Sequence, residues 1–287
     1  MFMSPAPLKD LAPERLAALE GLAFDVDDTL TSHGKLTPAA YAALGALVEA
    51  GVALVAVTGR PLGFAEVWFG QWPLVGAVGE NGAGYFWRQL ADTALTVSKG
   101  EPPSFTVSGV HSAAALDVHG ADGWATRRTQ LMDEALARFP GLALTRDSWA
   151  RRIDIAFDIG EFVHVPLSEQ AALSQWLQDQ GLEVVTSSIH LHGQPPGAGG
   201  PFNKATGFIH WHEAAQGRPV SWDRWAFIGD SPNDAAAFAA FPLSVGVANV
   251  AACLPKLPQA PAFITEAEAG AGFCELAAAI LTAKGRG

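Results

Sequence analysis

Gly21-Leu22-Ala23-Phe24-Asp25-Val26-Asp27-Asp28-Thr29-Leu30 is the stretch on which the fold turns. Its first four residues are apolar without alternation, the pattern of a short strand buried on both faces of a parallel sheet. Two carboxylates, Asp25 and Asp27, follow one residue apart at its end. Downstream, Thr37-Pro38 predicts a helix over 39–50, with Thr37 as N-cap, Pro38 at the first helical position and Gly51 at the stop. Leu44, Leu47 and Val48 share one face of it, the spacing of a helix packed on a sheet. Residues 52–57 read as a second buried strand, 61–69 as a helix, 75–78 as a third strand and 225–228 as a fourth. Phe273, Leu276 and Ile280 mark one face of the last helix. Strands alternating with helices predict an α/β fold built on a doubly wound parallel sheet.

The middle of the chain differs. From about Tyr85 to Ile189, alternating runs such as 153–158 mix with helical patterns over 127–139 and 168–180. That mixture predicts an inserted α+β domain with an antiparallel sheet. Gly193-Gln194-Pro195-Pro196-Gly197-Ala198-Gly199-Gly200-Pro201 reads as a linker back to the core. The expected division is a core of residues 1–83 and 201–287 around an insert of 84–200.

Composition excludes several function classes. A chain of 287 residues, 49% hydrophobic and 16% charged, has the balance of a compact globular protein. Its formal charge of −11, with Arg127-Arg128 and Arg151-Arg152 as the longest basic runs, argues against nucleic acid or an anionic membrane surface as partner. Cys253 and Cys274 do not make a disulfide framework and read as buried thiols of a reducing compartment. Residues 1–20 hold no apolar signal region, and no window approaches the ~20 apolar residues of a membrane span. A cytoplasmic protein is expected.

Four pieces carry chemistry: Asp25 and Asp27, then Thr58-Gly59-Arg60, then Lys204, then Gly229-Asp230-Ser231-Pro232-Asn233-Asp234. A phosphate monoester is anionic, so a nucleophile attacking it needs charge neutralisation beside it. In such a site Asp25 would attack phosphorus. Asp27 would protonate the leaving oxygen and then activate water. Thr58 and Gly59 would hold phosphate oxygens, Lys204 would reach nucleophile and phosphate, and Asp230 would bind a hard cation. Asn233 and Asp234 would bind the metal or orient its ligands. Each piece has an ordinary alternative: a helix cap at Asp27 and Asp28, a plain turn at Thr58-Gly59, a surface lysine at 204. Three of the four fall at the C-terminal ends of expected parallel strands, where doubly wound sheets bind ligands.

At these residues the chain resembles the haloacid dehalogenase superfamily of aspartate-nucleophile phosphatases. The four signature elements match Asp25-x-Asp27-x-Thr29, Thr58, Lys204 and Gly229-Asp230-Ser231-x-Asn233-Asp234, over roughly residues 18–83 and 201–280. The resemblance implies Mg2+ held by Asp25, the main chain of Asp27, and Asp230. Only 27 residues separate Leu30 from Thr58, while the large insert falls between Thr58 and Lys204. This placement is similar to the type-II (C2) cap subfamily, as is the Glu80-Asn81-Gly82 turn. Sucrose-, trehalose- and mannosylglycerate-phosphate phosphatases, phosphomannomutase and broad-range phosphosugar hydrolases belong there. Asp28 and Ala205 depart from the pattern, which often has Gly at both places. The resemblance implies a magnesium-dependent phosphatase acting on a small phosphorylated metabolite, with a sugar phosphate as the expected class. A phosphomutase and a non-catalytic binding protein on the same core are the alternatives.

The insert would choose the leaving group. Candidate substrate-binding residues are Thr58, Gly59, Arg60, Asn81, Arg151 and His190, with Arg152, His192, Trp124 and Trp149 beside them. The tryptophans equally fit packing roles, and Glu80 and Asn81 either touch substrate or form the turn. His190-x-His192 has strand spacing compatible with zinc, without a further ligand cluster, and His210-x-His212 falls on an expected helix.

Overall fold

The computed structural model describes residues 4–87, 113–187, 189–196 and 202–286. In chain order the strands are β1 (Ala6–Pro7), β2 (Gly21–Phe24), β3 (Ala53–Val57), β4 (Gly76–Gly79), β5 (Gly84–Trp87), β6 (Ala143–Leu144), β7 (Ile155–Asp158), β8 (Glu183–Thr186), β9 (His190–Gln194), β10 (Trp225–Gly229), β11 (Leu243–Gly246) and β12 (Phe263–Ile264). The helices are α1 (Pro13–Ala17), α2 (Pro38–Glu49), α3 (Leu62–Gln71), α4 (Ala113–Arg138), α5 (Leu167–Asp179), α6 (Lys204–Gln216), α7 (Ala235–Ala240) and α8 (Ala269–Ala283).

Eight strands form one sheet in the order β1-β12-β11-β10-β2-β3-β4-β5, parallel except for β5. Register sets Phe24 beside Ala56 on one flank and Ile228 on the other, so the C-terminal ends of β10, β2 and β3 lie level. Leu22 and Phe24 face a layer with Leu44 and Leu47 of α2 and Phe273, Leu276 and Ile280 of α8. Ala23, Val55 and Phe227 face the opposite layer, with Phe208 and Trp211 of α6. Burial on both faces explains why these strands show no alternation. Each buried Leu or Phe side chain contributes about 1.5–3 kcal/mol.

A second sheet, β6-β7-β9-β8, is antiparallel throughout and packs with α4 and α5; this is the cap. Two boundaries differ from expectation. The chain stays on the large sheet through Trp87, past residue 83, because β5 returns antiparallel along β4. Gly193 and Gln194 belong to β9, not to a linker, and pair with Ile155 of β7 and with Val184 and Glu183 of β8. Glycine suits that place because Leu177 and Leu182 press on it. Residues 197–201 of the expected linker and residues 88–112 of the insert lie outside the described residues.

Candidate active site

Asp25 follows β2, Thr58 follows β3 and Asp230 follows β10, so the central strand end carries Asp25 with the other two flanking it. The Asp25 N–H continues the ladder by donating to the Ile228 carbonyl at 2.9 Å, and the Thr58 N–H to Val78 at 2.9 Å. After Asp25 the chain leaves the sheet in one wide turn in which Asp28 takes φ 53° and ψ 17°. That left-handed conformation favours glycine, and Asp is among the few side chains that tolerate it. The Asp28 Oδ1 supports the turn by accepting the His33 N–H at 3.2 Å. Asp28→Gly is expected to leave stability within about 0.5 kcal/mol of the original, while Asp28→Ala lowers it by about 1–2 kcal/mol. Urea midpoints of the two variants check the difference.

Lys204 enters from the other side of the sheet as the first residue of α6. Asn203 caps that helix, accepting the Ala205 and Thr206 N–H groups at 3.0 Å each. The Lys204 Nζ lies 2.8 Å from Asp25 Oδ1 and 2.7 Å from Asp234 Oδ1, with all three side chains buried. The other Asp234 oxygen accepts the Asp230 and Ser231 N–H groups at 2.9 and 3.0 Å. Gly229 permits this packing, because a Cβ there would lie 2.5 Å from the Asp234 carboxyl. Asp234 therefore shapes the Asp230 loop and anchors the lysine.

Two neutral side chains donate to the Asp230 carboxylate. The Thr29 hydroxyl donates to its Oδ1 at 3.2 Å, and the Asn249 amide donates to its Oδ2 at 3.0 Å. Asn249 also donates to the Asp28 carbonyl at 3.1 Å and accepts the Ala269 N–H at 2.9 Å. It thus ties three loops together, and the sequence reading missed it because no motif surrounds it. Burial pushes Asp25 well above the usual carboxylate range, against the pull of Lys204. Burial and the neighbouring Asp234 push Asp230 up to about 6. Burial alone would lower Lys204, but Asp234 and Asp25 outweigh it and hold the ammonium charged. One lysine among three carboxylates leaves a net negative cluster. Oxygens of Asp25, Asp230 and Asp234 lie within 4.8 Å of one another. Such a desolvated, oxygen-only set fits a hard divalent cation.

Around this cluster Thr58 is buried and its hydroxyl accepts the Arg60 N–H at 3.1 Å. Arg60 grips Asp27 with both arms of its guanidinium, Nε to Oδ2 and Nη2 to Oδ1 at 2.7 Å each. Asn233 turns away from the carboxylate cluster: its Oδ1 accepts the Ser231 hydroxyl at 2.8 Å and its Nδ2 points at Asn81 Oδ1, 3.4 Å away. Glu80 does not touch the cavity. Its buried carboxylate accepts four backbone N–H groups, from Leu62, Arg152, Ile153 and Asp154, at 2.8–3.0 Å. Burial and the charge of Asp154 push it up to about 7, opposed by those donors.

The cap face reads differently from expectation. Arg151 is buried at 5% exposure and already paired, with Asp147 at 3.0 Å and Asp154 at 2.9 Å. Burial would raise Asp154, but Arg151 and His192 outweigh it and hold that carboxyl well below its usual range. His192 Nδ1 meets Asp154 Oδ2 at 2.8 Å and His190 Nε2 meets Glu161 Oε2 at 2.8 Å, so each imidazole has a carboxylate partner. Arg152 pairs with Glu66 outside the cavity. Trp124 is buried in the cap, donating to the Ile153 carbonyl at 3.1 Å, and Trp149 is 77% exposed against Phe64. Neither tryptophan lines the cavity. His212 is packed among Phe208, Trp211 and Trp225, beside the Arg218 carbonyl. Arg146, which the sequence reading passed over, lies 3.5 Å over the Phe162 ring at the cavity wall.

Between core and cap lies an open cavity of about 510 Å³. Asp25, Asp27, Thr58, Gly59, Arg60, Asn81, Asp230 and Asn233 line its floor, and Arg146, Asp147, Arg151, Glu161, His190 and His192 its roof. Lys204 and Asp234 stand behind Asp25. No helix among the described residues is long and apolar enough to cross a membrane.

Residues 22–94 match the haloacid dehalogenase-like hydrolase family. No curated protein matches the sequence. Among solved structures, the chain is similar to a phosphatase of the haloalkanoate (HAD) enzyme superfamily from Bacteroides thetaiotaomicron, with 16% identity and a TM-score of 0.60 over 96% of this chain and 99% of that one. It is also similar to the sucrose-phosphatase of Synechocystis sp. PCC6803, with 14% identity and a TM-score of 0.56 over 91% and 97%. The C-terminal domain of trehalose-6-phosphate phosphatase from C. albicans matches with 14% identity and a TM-score of 0.60 over 99% of each chain. The family match bears out the resemblance to haloacid dehalogenase-like hydrolases, and these folds bear out the doubly wound architecture read from the sequence.

Proposed function

We propose that this protein is a magnesium-dependent phosphatase that hydrolyses a small phosphorylated metabolite, a sugar phosphate by class, through an aspartyl-phosphate intermediate. The observation that carries the reading is the buried Asp25 carboxylate held 2.8 Å from Lys204 at the floor of the cleft between core and cap. The hydrolase family match supports it. Asp25 would attack phosphorus, forming the acyl phosphate as the ester P–O bond breaks. Asp27 would give its proton to the leaving alcohol oxygen and then take one from the water that attacks the phosphoenzyme. Thr58 and Gly59 would hold the phosphoryl oxygens, Lys204 would neutralise Asp25 from behind, and the Arg60–Asp27 pair would open as substrate enters. Asp25, Asp230 and the Asp27 carbonyl would hold Mg2+, which when bound neutralises phosphate charge. Asp234, committed to Lys204 and two N–H groups, and Asn233, directed at Asn81, would act as supports instead of ligands. The antiparallel layer of β6, β7, β9 and β8 with α4 and α5 would act as the specificity cap, with Arg146, Glu161 and His190 facing the leaving group.

The test is phosphate release from a panel of sugar phosphates and other phosphorylated metabolites, with magnesium and with EDTA. Magnesium-dependent release is expected. No release from any member would overturn the reading, and turnover only with an activating bisphosphate would reassign the protein as a phosphomutase. Asn249→Ala is expected to raise the magnesium concentration for half-maximal activity about 10-fold, because Asp230 loses a partner that orients it. A magnesium titration of the variant measures it, and an unchanged requirement would remove Asn249 from that role.

A further inference from the structure

Glu80 is buried in the interior, yet nothing in phosphoryl transfer uses it. Its backbone takes φ 49°, and Asn81 beside it takes φ 55°. Two consecutive left-handed residues without glycine are costly and persist only where the surroundings over-determine them. The backbone is bound to the phosphate loop: the Glu80 N–H donates to the Arg60 carbonyl at 2.8 Å and the Asn81 N–H to Thr58 at 3.1 Å. The side chain is bound to the cap. Oε1 accepts Leu62 N–H at 3.0 Å and Arg152 N–H at 2.8 Å. Oε2 accepts the N–H groups of Ile153 and Asp154 at 2.8 Å each. Four donors saturate a carboxylate, and three of them are successive amides of one cap segment.

That segment leads directly to the cavity roof. Asp154, whose N–H is held by Glu80, uses its carboxylate to hold Arg151 and His192, both of which line the cavity. Arg151 Nη1 in turn points at the Gly59 carbonyl of the phosphate loop, 3.5 Å away. We propose that Glu80 is a positioning residue that locks the cap segment 151–154 to the phosphate loop, and so fixes where the roof holds the leaving group relative to Asp25. This rests on the phosphatase reading. Gln at this place keeps one acceptor and turns an NH2 toward two amides, so the lock opens. Asp keeps the charge but falls one methylene short.

The test uses two substrates of the full-length protein: the best sugar phosphate from the panel, which needs the roof, and p-nitrophenyl phosphate, which draws mainly on the floor. In Glu80→Gln, kcat/KM for the sugar phosphate is expected to fall about 10- to 100-fold, with less than about 3-fold loss on p-nitrophenyl phosphate. Glu80→Asp is expected to lie between. An equal loss on both substrates, or no loss on either, would overturn the proposal. Should the variants not fold, amide hydrogen exchange on the unaltered protein decides: Arg152–Asp154 amides protected to the level of β10 support the lock, and exchange at the rate of exposed amides overturns it. If the unaltered protein hydrolyses neither substrate, the phosphatase reading fails while the exchange result still judges the lock.

Discussion

Asp25→Asn is expected to lower turnover by about 10⁴-fold or more without loss of the fold. The amide has the shape of the carboxylate and its oxygen still accepts from Lys204, so the end of β2 keeps its packing. What it lacks is a charged oxygen that can bond to phosphorus. The substitution also removes one of three negative charges crowded within 4.8 Å. Thermal stability in EDTA is therefore expected to hold or to rise, because burial already disfavours the ionised Asp25. Single-turnover phosphate release and a melting curve check the two halves separately. Residual activity above about 1% would move the nucleophile to another side chain.

Lys204→Met is expected to cost both stability and activity. Methionine fills the buried stem but leaves Asp25 and Asp234 facing each other without the ammonium that now lies 2.8 and 2.7 Å from them. Breaking a buried ion pair by removing one partner costs about 3–5 kcal/mol, since the remaining charges stay desolvated. The exposed pair Arg60–Asp27, by contrast, contributes at most about 1 kcal/mol. Urea denaturation with and without magnesium measures the loss, and a bound cation is expected to recover part of it by supplying the missing positive charge. A midpoint unchanged from the original would mean that Lys204 is not the counter-charge of the cluster.

The parts of the site legible in the sequence are those carried by neighbours in the chain. Asp25 and Asp230 each end a run of buried apolar residues, and such runs locate parallel strand ends without any knowledge of distant contacts. Lys204 was legible through its place at a helix start after a Pro/Gly stretch. Asn249 was not, because its partners Asp28, Asp230 and Ala269 converge only when β11 is laid beside β10. Arg151 and Arg152 looked equally available as a pair. In the fold one is buried between two carboxylates and the other leaves the cavity to meet Glu66. Gly193-Gln194 resembled a linker because glycine signals a break locally, whereas here it makes room for Leu177 and Leu182.

Local pattern by itself thus determined the parallel core, the order of its strand-end motifs and the presence of an inserted antiparallel layer, since burial on two faces and helical periodicity are written in adjacent residues. Tertiary structure decided which charges are spent on each other and which face the cavity. Lys204 is committed to Asp25 and Asp234, Arg151 to Asp147 and Asp154, and Glu80 to the cap backbone. Pairing energies depend on distance and desolvation, and both are set by residues far apart in the chain, as between Thr29 and Asp230, 201 positions apart.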